Sequence, residues 1–583
     1  MASALDNIDS ELSKLDPDVP FRATRTHTHH TWAKTFYSHP SLYIRPHTLP
    51  EIQKAVTLAR RCRRRLVVVG CGHSPSDLTC TSAWMMNLDR FDNVLRVDKA
   101  SRTMTVEGGI RLRDMNLKAK EHGLTMPNLG SIDQQSIVGA LATATHGSAI
   151  GHGLLSKSVR SLRIVLANGR AVRCSNEQSQ DLFRAALVSL GALGVIVEVE
   201  FEMVQATNIE WTQTLRPLSF VLDNWEKDLW TAAEYTRVWW LPYTSRAIVW
   251  SAEKTSSPPR QATTSWYGGS MGFHTYHVLL WLANYVPRLL PAIEWFVFGM
   301  QYGFKLATST SAIEEQRSGL LMNCLYSQFV NEWAFPLHKG PEAIMRLQSW
   351  INGDAAAANI PVSPKGVWVH APIEVRVSDT SSTTPRPFLD PSFPDGPTLY
   401  LNATLYRPYG LDPPCVTRYY EAFEHLMKEL GARPHWAKNF STVSKAEVKD
   451  MYGESLTRWL RVRDSVDPEG MFVGDWHRRY IMPATTGRLP LEEKEVGRVR
   501  RSGGGIVWVG EMETRAEKSG WASGSSESSF DQLNEAETEA SVLLREIEGS
   551  EGEIGFSDDE EVGAQVVEGA IRGVTGVRVF DRM

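Results

Sequence analysis

The sequence predicts an α+β protein made of two mixed regions followed by a tail. Three observations carry this reading. Residues 41–200 alternate short apolar runs with stretches of helical apolar spacing. Residues 207–480 remain mixed and rich in tryptophan, with no internal repeat. After Met482 the composition turns to Ser, Gly and Glu, and aromatics thin out.

Taken in order, the first helix expected is "TLPEIQKAVTLARRC" (48–62). It opens on Thr48 and Pro50 and closes on basic residues, which suit the two ends of a helix dipole. "RLVVVG" (65–70) is a buried strand. Residues 85–110 read as strands joined by turns, the second turn at "DKASR". "RLRDMNLKAKEHG" (111–123) is a helix ending at Gly123. "SVRSLRIVLANGRAVRCS" (158–175) is a hairpin turning at Asn168-Gly169. Residues 181–204 pass from a helix through a Gly-rich break into a strand. Further on, "VWVHAPIEVRV" (367–377) alternates as a strand. Residues 484–583 offer too little apolar area to offset chain entropy, so a mostly disordered acidic tail without a catalytic role is expected.

The bulk properties exclude some classes. A net charge of −5 gives no general attraction to nucleic acid. The six cysteines (62, 71, 80, 174, 324 and 415) include no C-x-x-C pair, which argues against zinc ribbons and for free thiols in a reducing compartment. The first twenty residues carry no apolar core of a secretion signal and are not Arg-rich. One segment, 276–304, is strongly apolar and aromatic, but Asn284, Pro287, Arg288, Pro291 and Glu294 interrupt it. An interfacial membrane hairpin, a buried cap element and a true span all remain open.

Two glycine-bearing stretches carry chemistry. "VVVGCGHSPSD" (67–77) ends a strand in Gly70-Cys71-Gly72. Such a turn lets backbone N–H groups approach a phosphate without side-chain clashes. It is not the start of a Rossmann helix, because Pro75 and β-branched residues follow; taken alone, it could be a mere tight turn. "PNLGSIDQQSIVGALATATHGS" (127–148) is rich in small residues that let a chain lie against an extended ligand. Together the two fit a dinucleotide held along its length.

These stretches, with "RPHWAKNF" (433–440) and "DPEGMFVGDWHRR" (467–479), resemble the vanillyl-alcohol oxidase / p-cresol methylhydroxylase class of FAD proteins. More narrowly they resemble the sugar-1,4-lactone oxidases, the group of L-gulonolactone oxidase and the fungal D-arabinono-1,4-lactone oxidases. The resemblance covers about 30–480. It implies a two-subdomain FAD-binding domain of the p-cresol methylhydroxylase type over 36–206, after an N-terminal extension (1–35). A cap domain over 207–483 would hold the substrate and return to the flavin. It implies FAD attached covalently through His73. Attachment should be single, because "ATATHGS" lacks the cysteine some relatives use for a second link. Cofactor contacts are implied for Gly70, Cys71, Gly72, Ser74, Pro75, Ser76, Gly130, Ser131, Ser136, Gly139, Thr143, Thr145, His146, Gly147 and Ile196. Trp476 and His477 are expected only to pack nearby, and no metal is expected.

For Glu374 and Arg376, two apart on one strand face, the residues alone leave a surface ion pair and a substrate site equally open. The resemblance favours catalysis, because aldonolactone and alditol oxidoreductases carry a Glu-x-Arg pair there. It likewise assigns Lys438 to charge stabilisation. Where lactone dehydrogenases tend to carry a methyl group that blocks oxygen, this chain has Gly130, which favours an oxidase. The implied reaction is oxidation of D-arabinono-1,4-lactone at C2 with dioxygen, yielding hydrogen peroxide and an ascorbate-like product, at a mitochondrial membrane contacted through 276–304. The rivals are a dehydrogenase passing electrons to a cytochrome and a membrane-surface scaffold with a vestigial flavin domain.

Overall fold

A computed structural model describes residues 2–262, 269–322, 325–370, 372–483, 498–502 and 505–509. Two smaller sheets come first. In one, β1 (Leu42–Ile44) and β2 (Leu66–Val69) flank β3 (Trp84–Asn87) in parallel, with helix α1 (Leu49–Arg61) as the crossover. Thr48 caps α1 by accepting from the Glu51 N–H, and Ile52, Ala55, Val56 and Ala59 form its buried stripe. The chain leaves β2 at the 70–74 loop, and a single 3-10 turn (Asp77–Thr79) precedes β3, in line with the non-helical reading of Pro75.

The second sheet contains β4 (Val94–Asp98), β5 (Thr103–Glu107), β6 (Val159–Val165), β7 (Ala171–Ser175) and β8 (Val195–Glu202). Its order is β7-β6-β8-β5-β4, antiparallel throughout. The hairpin β6–β7 turns at the expected Asn168-Gly169. Helix α2 (Leu112–Lys120) and the short helix α3 (Ile137–Ala142) lie between β5 and β6 in the chain.

The third sheet has eight strands: β9 (Asn208–Pro217), β10 (Tyr235–Leu241), β11 (Arg246–Thr255), β12 (Ser309–Glu315), β13 (Gln328–Pro336), β14 (Ile373–Ser378), β15 (Thr398–Tyr406) and β16 (Arg433–Pro434). Their order is β12-β9-β11-β10-β14-β15-β13-β16. Alternation splits each strand between two faces. Leu399, Leu401, Ala403 and Leu405 of β15, with Val375 and Val377 of β14, belong to the apolar core shared with helices Gly340–Ile351 and Val416–Glu429. The opposite face, built by direct cross-strand partners, is polar. Glu332 of β13 sits opposite Asn402 of β15, Asn402 opposite Glu374 of β14, and Glu374 opposite Trp239 of β10.

Two expectations change. The strand expected over 367–377 is shorter, because Pro372 has no N–H for the ladder. Upstream, His370 Nε2 instead accepts from the Tyr406 N–H at 2.6 Å. The 276–304 segment forms two helices, α4 (Ser270–Tyr285) and α5 (Leu290–Tyr302), broken at Pro287. Among the described residues no helix is long and apolar enough to cross a membrane. Tyr276, Leu280, Ile293 and Val297 are buried against the core, whereas Met271, Trp281, Tyr285 and Trp295 are exposed. Within the expected tail, Arg498–Ser502 pairs antiparallel with Gly505–Val509 and with strand Phe36–Ser38. The remainder of the expected tail lies outside the described residues.

Candidate active site

Two adjoining cavities lie between the sheets, and they share His73 and Gln135 in their walls. The first is lined by Gly70, Cys71, Gly72, Ser74, Ser136, Gly139, Thr143 and Ile196, all residues expected to touch a cofactor. Two glycines explain the loop. Gly72 has φ of 67°, a left-handed conformation that side chains rarely adopt. At Gly70 a Cβ would lie 2.2 Å from Ser136 Oγ, so the loop approaches α3 more closely than any larger residue permits. His477, expected only to pack, also lines this cavity, with Nε2 2.7 Å from the Leu190 carbonyl.

The second cavity is roofed by the polar face of the third sheet. Pro75, Gly130, Ser131, Thr145 and His146 line it from the flavin-motif side, and Glu374, Arg376, Asn402, His435 and Lys438 from the other. Ser76 and Gly147 line neither cavity. Ser76 is buried, and Gly147 packs on Asn128, whose side chain would collide with a Cβ. The 1–35 stretch contributes more than an extension: Trp32 stacks on His73 at 5.2 Å and lines the second cavity.

His73 is half-buried, but its Nδ1 is fully enclosed and has no hydrogen-bond partner. Burial, then the nearby Arg111, pushes its pKa down to about 3, so the ring is neutral with a lone pair available. Glu374 Oε1 and Ser131 Oγ are likewise buried without partners at the second cavity. A buried polar atom left unpaired costs free energy unless a ligand satisfies it. These atoms, with the tight Gly70 turn, fit a dinucleotide spanning both cavities and a polar substrate at its end.

The Glu374–Arg376 pair is inside the protein. Arg376 Nε is 3.3 Å from Glu374 Oε2, and Arg376 Nη2 donates to Glu332 Oε1 at 2.5 Å. Glu332, fully buried in β13, was not singled out in the sequence. Lys438 Nζ lies 3.5 Å and Asn402 Nδ2 3.4 Å from Glu332 Oε2, and His146 Nε2 lies 3.2 Å from Oε1. Burial alone would raise the Glu332 pKa, but Arg376 and Lys438 outweigh it and hold it well below the usual carboxylate range. His146 stacks on Tyr400 at 3.5 Å and lines the second cavity. His435 accepts the Ala437 N–H at Nδ1, and burial keeps its imidazole neutral. His146, Glu332 and His435 group as metal ligands could, but Arg376 and Lys438 already supply two cations to Glu332, which disfavours a third.

A signal for Glu332 did exist: it is the one charged residue in the strand "QFVNEWAFP". Nothing in the sequence says which distant residues it meets.

Residues 40–175 match the family model described as FAD binding domain, and residues 199–480 match the model described as D-arabinono-1,4-lactone oxidase. A relative from Neurospora crassa is 51% identical over 526 residues, covering 85% of this chain and 94% of its own. D-arabinono-1,4-lactone oxidase of Yarrowia lipolytica is 39% identical, covering 77% of this chain and 96% of its own. The chain belongs to the D-arabinono-1,4-lactone oxidase family. Solved structures share the family's fold at low identity. Cholesterol oxidase from B. sterolicum superposes with a TM-score of 0.65 over 80% of this chain and 99% of its own, at 14% identity. Xylooligosaccharide oxidase from Myceliophthora thermophila does so at 0.57 over 82% and 100%, at 17% identity. The flavin-domain model spans the His73 loop and α3, and the lactone-oxidase model spans Glu332, Glu374, Arg376 and Lys438.

Removing the Arg376 guanidinium deletes a preorganised donor from the wall of the second cavity. Arg376→Ala should lower kcat by about 10²-fold or more with normal flavin content, and Glu374→Gln should also slow turnover. Near-normal kinetics in both variants would reduce the pair to a structural ion pair.

Proposed function

We propose that this protein is an FAD-dependent oxidase of a sugar-1,4-lactone, with D-arabinono-1,4-lactone as the leading substrate, attacked at C2, and dioxygen as the electron acceptor. The observation that carries the reading is the Glu374–Arg376–Lys438 constellation, which faces a cavity continuous with the His73 loop. FAD, which the 70–74 loop and α3 would hold, would supply the hydride acceptor, with dioxygen as the terminal oxidant reduced to hydrogen peroxide. The protein's own groups do the rest. Glu374 Oε1, enclosed and unpartnered, takes the C2 hydroxyl proton. Arg376 and Lys438 place positive charge beside the oxygen that becomes negative as that proton leaves. Ser131 Oγ offers a further polar contact to the bound ligand.

His73 is the proposed attachment point, through a bond from its ring to the 8α-methyl carbon of FAD. The neutral ring and the enclosed, unpartnered Nδ1 support this. The exposed Trp281, Tyr285 and Trp295 on α4 and α5 support contact with a membrane surface, with both termini of the helical pair on one side of it. A mitochondrial membrane is the proposed location.

Three measurements test this reading. Purified protein should be yellow and produce hydrogen peroxide when given D-arabinono-1,4-lactone, and its flavin should stay with the polypeptide after acid precipitation. His73→Ala should release its flavin on denaturation; complete release from the wild type would rule out the bond. The second concerns oxygen. Gly130 is not in the left-handed region, and a Cβ there would lie 3.2 Å from Thr145 Cγ2, a tight but adjustable contact. Gly130→Ala should therefore keep anaerobic reduction by lactone and slow reoxidation by air. Equal loss of both would mean that the loop is distorted, and a wild type that air does not reoxidise would indicate a dehydrogenase. The third concerns the membrane. Wild-type protein should float with phosphatidylcholine vesicles, and the triple variant Trp281→Ser, Tyr285→Ser, Trp295→Ser should not; equal behaviour of the two removes the membrane contact.

A further inference from the structure

The two nitrogens of His146 both face acceptors. Nδ1 lies 2.9 Å from the Gly147 carbonyl oxygen, and Nε2 lies 3.2 Å from Glu332 Oε1. A neutral imidazole has one N–H. In that state one of these contacts would set a bare nitrogen lone pair against an oxygen lone pair, with both side chains buried. A carboxylate at Oε1 cannot donate, and the Gly147 carbonyl never can. Two protons are needed: one on Nδ1 for Gly147, and one on the line between Nε2 and Oε1.

The groups that face this pair come from every neighbouring element. Arg376 and Glu374 project from β14, Tyr400 from β15, and His435 and Lys438 from the 435–438 turn, while Glu332 itself is on β13. Burial, then Arg376, works against charge on the ring, and the balance lowers its pKa from the ordinary value. In its favour stand the Glu332 carboxylate, the Gly147 carbonyl and the face of Tyr400, whose ring lies 14° from parallel to the imidazole and can accept a cation. Arg376 and Lys438 restrain Glu332 on both oxygens, so the carboxylate cannot swing away from the contact.

We propose that Glu332 is a positioning residue of the lactone-oxidation site and that it shares one proton with His146, so that the pair is electrically neutral. The proton belongs to the pair, whichever atom carries it. Arg376 and Lys438 then contribute two positive charges and Glu374 one negative, leaving the empty cavity with one net positive charge. A bare Glu332 carboxylate beside a neutral His146 would instead leave the cavity neutral. The surplus charge has a chemical use: it favours the alkoxide character that develops at C2 as the hydroxyl proton leaves. It also gives the cavity affinity for the open-chain aldonate that forms when the lactone ring hydrolyses. This inference rests on the lactone-oxidase reading for the identity of its ligands.

The test compares an anionic and a neutral ligand of the same carbon skeleton. In the flavin-loaded enzyme, dissociation constants are measured for D-arabinonate from the flavin absorbance change, and the Michaelis constant for D-arabinono-1,4-lactone from peroxide release. His146→Gln removes the proton carrier and leaves Glu332 bare. It should weaken arabinonate relative to lactone by about tenfold or more, the effect of one charge a few ångströms from the ligand. Glu332→Gln removes the carboxylate and its proton together, so the arabinonate-to-lactone ratio should stay within about threefold of the wild type while kcat falls as Arg376 and Lys438 lose their anchor. The proposal is overturned if His146→Gln leaves the ratio unchanged, or if Glu332→Gln strengthens arabinonate about tenfold, as removal of a bare repelling charge would. Should His146→Gln fail to fold, the Glu332→Gln ratio decides alone. Absence of lactone-dependent turnover in the wild type would count against the functional reading and leave the charge question to arabinonate binding.

Discussion

The site is organised around one buried carboxylate. Glu332 is enclosed in the third sheet, and isolated ionised carboxylates do not survive there. It must therefore be surrounded by donors, and the donors it gathers are Arg376, Lys438, Asn402 and His146. Each of these also lines the cavity. The requirement to neutralise Glu332 thus fixes the orientation of the groups that meet the substrate, although Glu332 is itself set behind them. Such an arrangement is costly to leave half-built, because any partner removed exposes the others to an uncompensated buried charge.

The division of labour between sheets follows from this. The loop after β2 and helix α3 present small residues and backbone, which suits a long cofactor with many phosphate and carbonyl oxygens. The third sheet presents charged side chains on a rigid, hydrogen-bonded lattice, which suits proton removal at a fixed point. His73 stands in the wall common to the two cavities, held by the stack with Trp32. Strand Phe36–Ser38, which follows the stretch that carries Trp32, pairs in turn with Arg498–Ser502.

Much of this was legible in the sequence for a physical reason. The 67–77 turn and the 127–148 stretch are local devices, in which glycine and small residues answer a constraint a few residues away. The Glu374–Arg376 pair was legible because strand alternation places i and i+2 together. The contact of His146 with Glu332 was not legible, since the two are 186 residues apart. Glu332 and Tyr400 lay beyond reach for the same reason: their roles exist only once β13, β14 and β15 are in register. The strand over 367–377 was overdrawn because alternation persists through Pro372, while the ladder does not.

The polar row Glu332–Asn402–Glu374–Trp239 runs straight across four strands as direct cross-strand partners. A one-residue slip in any of them would turn its polar side chains onto the helix-packed core and bring Leu401, Val375 or Val238 into the cavity. The row behaves as a frame that cannot be retuned in small steps. Single insertions or deletions within these strands would abolish the frame. The register of four strands thus acts as one unit: the chemistry at the cavity wall is inherited or lost with it as a whole.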